Sequence, residues 1–255
     1  MTPRLFTPVE LAANALIGLD PASAHHAVRV LRLGAGATVE LFDGHGHAAR
    51  AAIVSTEPCT VRVETLMPPL PPPALRLTLA QCISAADKMD WTIEKAVELG
   101  VAAIVPLQSQ KAIVKLIPER VARRREHWQR LILAAAAQSG QNCLPRLDDV
   151  CKLDDWLRPP GQKPAPEHGQ RHALRLILDP RAPRSLMALL AAHEPGHPGD
   201  VQLLCGPESG FSEAEFSGAC SAGWLPAGLG PRVLRTETAG LAALAIIQAR
   251  WGDLG

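Results

Sequence analysis

Five prolines fall within the six residues Pro68 to Pro73, and no other feature of this chain constrains its fold as tightly. Each proline fixes φ at about −65° and removes an amide donor, so such a run can enter neither a helix interior nor the middle of a sheet. It holds the backbone near polyproline II and acts as a semi-rigid spacer. The segment Met67-Pro-Pro-Leu-Pro-Pro-Pro-Ala74 therefore marks a boundary between a domain of residues 1–70 and a second of residues 74–255. With 47% hydrophobic residues in 255, the chain can bury a core on each side of it.

Before the prolines the pattern is short and β-like. Residues Ala37 to Phe42 alternate, Asp43-Gly44 is a hairpin turn signal, and strands are expected over 49–54 and 60–66. A short helix is expected over Ala24 to Leu31, giving a small β-barrel with one helix. Gly44-His-Gly-His-Ala-Ala49 fits a loose dinucleotide fingerprint, but a β-like run follows it where that motif requires a helix, so a hairpin is the better reading.

After the prolines, strands and helices alternate. Strands are expected at 75–83, 102–106, 174–179, 201–205 and 227–230, and helices at 88–99, 119–139, 185–192, 212–223 and 236–251. This alternation predicts an α/β domain with a parallel sheet covered on both faces. The polar stretch 159–172 is too poor in apolar residues to pack and is expected to be a mobile loop.

Ligands of open α/β sheets collect at the carboxyl ends of strands. Three such ends stand out: Leu178-Asp-Pro180, Gly206-Pro-Glu-Ser-Gly210 and Leu229-Gly-Pro-Arg-Val-Leu-Arg-Thr-Glu-Thr238. The second leaves an apolar strand through two glycines and enters a helix at Ser212, which has capping-box spacing with Glu215. In the third, Thr236 is placed to cap the last helix and Glu237 to complement its dipole. Arg235 gains nothing from that dipole, so a ligand, a phosphate or a carboxylate such as Glu208 is expected to meet it. No nucleophile–base pair, P-loop or zinc signature is visible, which argues against hydrolysis.

The net charge of +1 announces no nucleic-acid partner, so any such partner must be met by a local patch. Residues 111–130 supply one, with Lys111, Lys115, Arg120, Arg123, Arg124, Arg125 and Arg130 against Glu119 and Glu126. In the first domain, Arg29 and Arg32 lie three apart on the expected helix, with Arg4 upstream. Two basic surfaces flanking the spacer could clamp a phosphate backbone. Six scattered cysteines without a C-x-x-C pair argue against a zinc site and suit a reducing compartment. The N-terminus lacks an apolar signal core, and no run approaches the ~18 apolar residues of a membrane span. A cytoplasmic protein, with neither membrane nor metal as partner, is expected.

The chain resembles the RsmE-type small-subunit (16S) ribosomal RNA uridine-N3 methyltransferases of the SPOUT superfamily. The resemblance rests on His26-Ala-Val-Arg-Val-Leu-Arg32, Leu41-Phe-Asp-Gly44, Lys88-Met-Asp, Glu98-Leu-Gly-Val101, Gln138-Ser-Gly140, Gly206 to Ser212 and Leu229 to Ala239, in the family order. It implies a PUA-like RNA-binding barrel, a second domain with a deep trefoil knot, and a homodimer whose active site lies near the subunit interface. Periodicity alone points to no knot. It also implies methyl transfer from S-adenosylmethionine to N3 of a uridine in the decoding region. The implied cofactor residues are Leu178, Pro180, Leu204, Gly206, Pro207, Glu208 and Gly210 on the first two loops. On the third they are Leu229, Gly230, Leu234, Arg235 and Thr236. Glu208 is the candidate acid–base group, and Arg235 stabilises the developing uridylate or holds Glu208. Arg4, Arg29, Arg32, Lys111, Arg123 and Arg124 are the candidate RNA contacts. The chain departs from the family at Ser209, where glycine is usual, and at Ala137 and Gln141, where a Glu and an Arg are frequent. Rival readings are a methyltransferase for another RNA position and an inactive ribosome-assembly RNA-binding protein.

Overall fold

The computed structural model describes residues 2–69, 73, 75–112, 118–158, 173–193, 196 and 198–254. Part of the proline run (70–72 and 74), Lys115 and the polar stretch 159–172 lie outside them. Contacts group the chain into two units, residues 1–72 with 133–144, and residues 73–132 with 145–255. Residues 133–144 thus pack with the N-terminal unit, an assignment that linear composition does not suggest.

The N-terminal unit is built on a five-stranded sheet in the order β1(Arg4–Phe6), β3(Thr38–Phe42), β4(Ala48–Thr56), β5(Cys59–Leu66), β2(Leu16–Gly18). β1 runs parallel to β3 and the other pairs are antiparallel. β1 and β2 are its edges, so among the described residues this is an open sheet rather than the closed barrel expected. Its inward residues, including Leu5, Val39, Leu41, Ile53, Val61 and Val63, bury a single core with Ile17 and Ala27. Asp43 closes the β3–β4 turn by accepting from the backbone N–H of His45 at 2.8 Å and of His47 at 3.1 Å. The glycine-rich segment is therefore a hairpin.

The expected helix over 24–31 starts earlier and ends differently. Asp20 caps α1(Pro21–His25), accepting from Ala22 N at 2.9 Å and Ser23 N at 3.2 Å, with Pro21 at the first helical position. A π turn over His26–Val30 follows, and Arg32 stands in the left-handed region at φ 54°. Arg29 and Arg32 are both exposed, but they do not share a helical face.

In the second unit every paired strand is parallel: β12(Leu225–Ala227), β10(Leu174–Leu178), β11(Asp200–Cys205), β6(Arg76–Cys82), β7(Ala103–Gln108), β8(Arg146–Leu147), in that order. β9(Cys151–Lys152) also pairs with β7. Runs such as Ala103–Leu107 and Val201–Cys205 are buried at every position, as strands covered on both faces must be. Helices α2(Ala86–Glu98), α3(Pro118–Ser139), α4(Leu153–Leu157), α5(Leu186–Ala191), α6(Glu213–Ser221) and α7(Thr236–Trp251) connect or cover them. α2 buries Met89, Thr92, Ile93, Ala96 and Val97, one face of a 3.6-residue period. α7 approaches the sheet closely at Gly240, where a Cβ would stand 3.1 Å from Cys205 Sγ and 3.3 Å from Gln81 Oε1. The last strand lies at 225–227 rather than 227–230, so the segment from Gly228 onward is free to form a loop.

Candidate active site

Because the sheet is parallel, the ends of β6, β10, β11 and β12 open on one edge, and their loops gather there. After β11 the chain turns between Pro207 O and Gly210 N (2.9 Å), with Gly210 at φ +71°, and then enters α6. The expected capping box is present: Ser212 Oγ accepts from Glu215 N at 3.1 Å, and Glu215 Oε2 accepts from Ser212 N at 2.8 Å. Its other oxygen accepts from Gln110 N at 2.7 Å, tying the loop after β7 to the same corner.

The start of α7 corrects the sequence reading. Arg235, with extended backbone, is the N-cap residue and makes no side-chain cap bond, while Thr236 is the first helical residue. The Thr236 hydroxyl is turned inward instead. It donates to the carbonyl oxygen of Gly206 and accepts from Gln81 Nε2 at 3.0 Å, so one buried side chain fastens β6, the end of β11 and α7. A hydroxyl that is both donor and acceptor can satisfy two buried partners at once.

These loops enclose a cavity of about 610 Å³. Leu178, Pro180, Gly206, Pro207, Glu208, Gly210, Leu229, Leu234, Arg235 and Thr236 all line it. Leu204 is fully buried in the core below, packed with Ile177 and Ala80, and Gly230, at φ +96°, turns the loop outside the lining. Lys88, Lys111, Asp179, Arg181, Phe211 and Phe216 also line the cavity and were not expected there. Phe211 sits over Gly206 so closely that a Cβ at that glycine would stand 3.0 Å from its ring. Cys205 adds a neutral surface, since complete burial pushes its thiol far above the ordinary range.

The charges are arranged asymmetrically. Glu208 Oε1 accepts from Ala85 N at 3.3 Å and lies 3.6 Å from Lys88 Nζ, which in turn stands 3.8 Å from Glu237 Oε1. The cation beside Glu208 is therefore Lys88 rather than Arg235. Arg235 is exposed and has no side-chain partner among the described residues. Asp179, buried, accepts from Arg181 N at 2.8 Å and from the Arg181 guanidinium at 3.3 Å, and that carboxylate pushes the guanidinium pKa upward. At the departure from the family, Ser209 Oγ donates to Lys111 O at 2.7 Å, and Lys111 Nζ donates to Phe211 O at 3.2 Å. The serine thus helps hold Lys111 in the cavity wall.

Comparison with known proteins decides the family. A model described as an RNA methyltransferase domain matches residues 71–248, and one described as an RNA methyltransferase PUA domain matches 19–64. The chain belongs to the RNA methyltransferase family. Its fold is similar to a methyltransferase of Legionella pneumophila with the cofactor SAM bound (35% identity, TM-score 0.88, all of both chains covered). It is also similar to the ribosomal RNA small subunit methyltransferase E of Neisseria gonorrhoeae, bound to S-adenosyl methionine (32%, 0.86, all of both chains). The enzyme of the same name from Bacillus subtilis is 28% identical over 88% of this chain and 86% of its own length.

For an RNA methyltransferase the exposed cations matter, and the structure sorts them. Arg4 leaves the set of candidate RNA contacts. Its side chain is 9% exposed, and its guanidinium pairs with Glu40 at 2.7 Å, donates to Ala136 O at 3.1 Å, to Gln141 O at 3.4 Å and to Asn142 Oδ1, and lies 4.8 Å from the Phe42 ring centroid. An arginine buried and held in this way is not presented to a phosphate. Lys111 belongs to the cavity. Arg123 is exposed and Arg124 half-buried, neither with a partner among the described residues, whereas Arg125 pairs with Asp149 at 3.0 Å. Among the described residues no group of three His, Cys, Asp or Glu could hold a metal ion, and no helix is long and apolar enough to cross a membrane.

Proposed function

We propose that this chain methylates N3 of a uridine in the decoding region of small-subunit (16S) ribosomal RNA, with S-adenosylmethionine as donor. The observation that carries the reading is the cavity at the carboxyl edge of the sheet, in a chain similar end to end to methyltransferases solved with that donor. The residues present suit the donor. Leu178, Leu229 and Leu234 give apolar walls for a nucleoside, while Gly206 and Gly210 carry no side chains that would fill the cradle. S-adenosylmethionine supplies an already activated methyl group on a sulfonium, so the protein's task is mainly alignment.

Uracil N3 bears a proton that must leave as the methyl arrives. Glu208, at the cavity wall, is the carboxylate placed to accept it, a role worth about 10²–10⁴-fold in rate. Arg235, unpartnered on the same wall, faces the negative charge that develops on the uracil. Arg29, Arg32, Arg123 and Arg124 supply phosphate contacts, and the domains 1–70 and 74–255 divide RNA holding from chemistry.

The reading extends to a trefoil knot in residues 74–255. It is supported by the path of the chain, which passes β12 beyond β10 and then returns so that Thr236 is fastened to β6 and β11. A cytoplasmic homodimer completes it. Incubating undermodified small subunits with the protein and labelled donor, then mapping the product by nucleoside mass spectrometry, tests the assignment. Label in a ribose, or in transfer RNA alone, would overturn it.

A further inference from the structure

We infer that Lys88 is a positioning residue of the transferase site, anchored by Glu237 and holding the Glu208 carboxylate at the cavity wall. The inference rests on the reading of Glu208 as the group that accepts the N3 proton. It begins with a placement that helix physics does not favour. Lys88 is the third residue of α2, where the positive end of the helix dipole repels a cation. The N-cap residue there is Ala85, which has no side chain with which to cap. Neither choice stabilises α2 by itself. Both are explained from another loop: Glu208 accepts the Ala85 N–H and faces the Lys88 ammonium, 123 and 120 residues away along the chain.

Glu237 completes the arrangement from behind. As the second residue of α7 it suits that helix's dipole, and its Oε1 lies 3.8 Å from Lys88 Nζ. It is not among the residues lining the cavity, whereas Lys88 and Glu208 are. Its second oxygen is buried with no hydrogen-bond partner among the described residues, so the nearby ammonium is the main compensation for burying this carboxylate. At 3.6 and 3.8 Å the contacts of Lys88 are ionic rather than hydrogen-bonded. Its charge therefore holds both carboxylates in place without a hydrogen bond of its own occupying Glu208. Without Lys88, Glu208 retains, among the described residues, the 3.3 Å contact to Ala85, and a carboxylate held by one long hydrogen bond can swing.

The experiment uses the full chain with undermodified small subunits. It compares Lys88→Met, Lys88→Arg, Glu208→Gln and the double variant K88M/E208Q for kcat, KM for RNA, Kd for S-adenosylmethionine and melting temperature. Lys88→Met is expected to lower kcat between about 10- and 100-fold, the cost of a misplaced catalytic group. KM and Kd stay within about twofold, the order expected for a change felt mainly at the transition state. Lys88→Arg recovers most of the rate, and Lys88→Met has no further effect once Glu208 is Gln. Unchanged kcat in Lys88→Met beside an inactive Glu208→Gln overturns the role of Lys88 alone. An equal loss on the Glu208→Gln background does so too, because Lys88 would then act independently. Full activity in Glu208→Gln overturns the proton-acceptor reading, and the inference with it. A rise in Kd together with a fall in melting temperature, matching the loss of kcat, marks Lys88 as merely structural.

Discussion

Arg29, three residues before Arg32, and Arg235, three residues after Arg232, are both exposed, and the helix ends they occupy treat a cation in opposite ways. Arg29 stands in the last turn of the helical stretch that begins at Pro21, where the negative end of the dipole favours a cation. Arg235 stands at the N-cap of α7, where the dipole opposes it, and nothing in the described structure compensates. The first arginine would be tolerated without any ligand. The second is an unfavourable placement, and the role proposed for it toward the reacting uracil gives it a reason. The same residue type at opposite helix ends thus carries different information about function.

The largest expected effect tests Arg235. Arg235→Ala is expected to lower kcat by about 10²- to 10³-fold, as loss of an electrostatic stabiliser does. The protein should melt at the same temperature or slightly higher, because a cation leaves the positive end of α7. Initial-rate assays beside thermal melts check this, and full activity would remove Arg235 from the site.

Arg4 breaks the comparison in the other direction, being an arginine buried and held by its own unit. Arg4→Ala should cost the N-terminal unit about 3 kcal/mol by taking the guanidinium away from Glu40 and three acceptors of residues 136–142. A urea titration reads that loss, and intact stability would return Arg4 to the surface set. Thr236→Val should cost about 1–3 kcal/mol, since the Gly206 carbonyl and Gln81 amide would lose their shared partner. It should also weaken donor binding in calorimetry, because the cavity wall is built on that hydroxyl. The smallest effect belongs to Arg29 with Arg32. Replacing Arg29 and Arg32 by Ala together should flatten the dependence of log K on log salt by about 2 for RNA, with kcat at saturation unchanged. An unaltered salt slope would leave those arginines with only the dipole to explain them.

The parts of this fold that sequence reveals are those made by neighbours in the chain. Alternating apolar runs and amphipathic helices announce the parallel sheet, and Ser212 with Glu215 announces the start of α6 from a spacing of three. The three loop motifs point to one edge because a parallel sheet gives all its carboxyl ends the same side. What stays hidden is made by distant partners or by very short elements. β1, β2, β8 and β9 span only two or three residues, too few to show a period of two. The anchoring of Arg4 depends on residues 136–142, and the pairing of Lys88 with Glu208 spans 120 positions. One local signal was available. A lysine in the first turn of a helix without a capping side chain is an anomaly, and it marks Lys88 in α2 as the N-cap position marks Arg235 in α7.

The Thr236 hydroxyl also divides the cavity mechanically. Because it clamps the first turn of α7 to two strands, the floor under the donor is set before any ligand arrives, and binding need not order it. Val233, two residues before the N-cap, is by contrast 81% exposed. The wall of the cavity on this one continuous loop is therefore built from a fastened residue and an exposed one, and a change at Val233 need not disturb the join between α7 and the sheet.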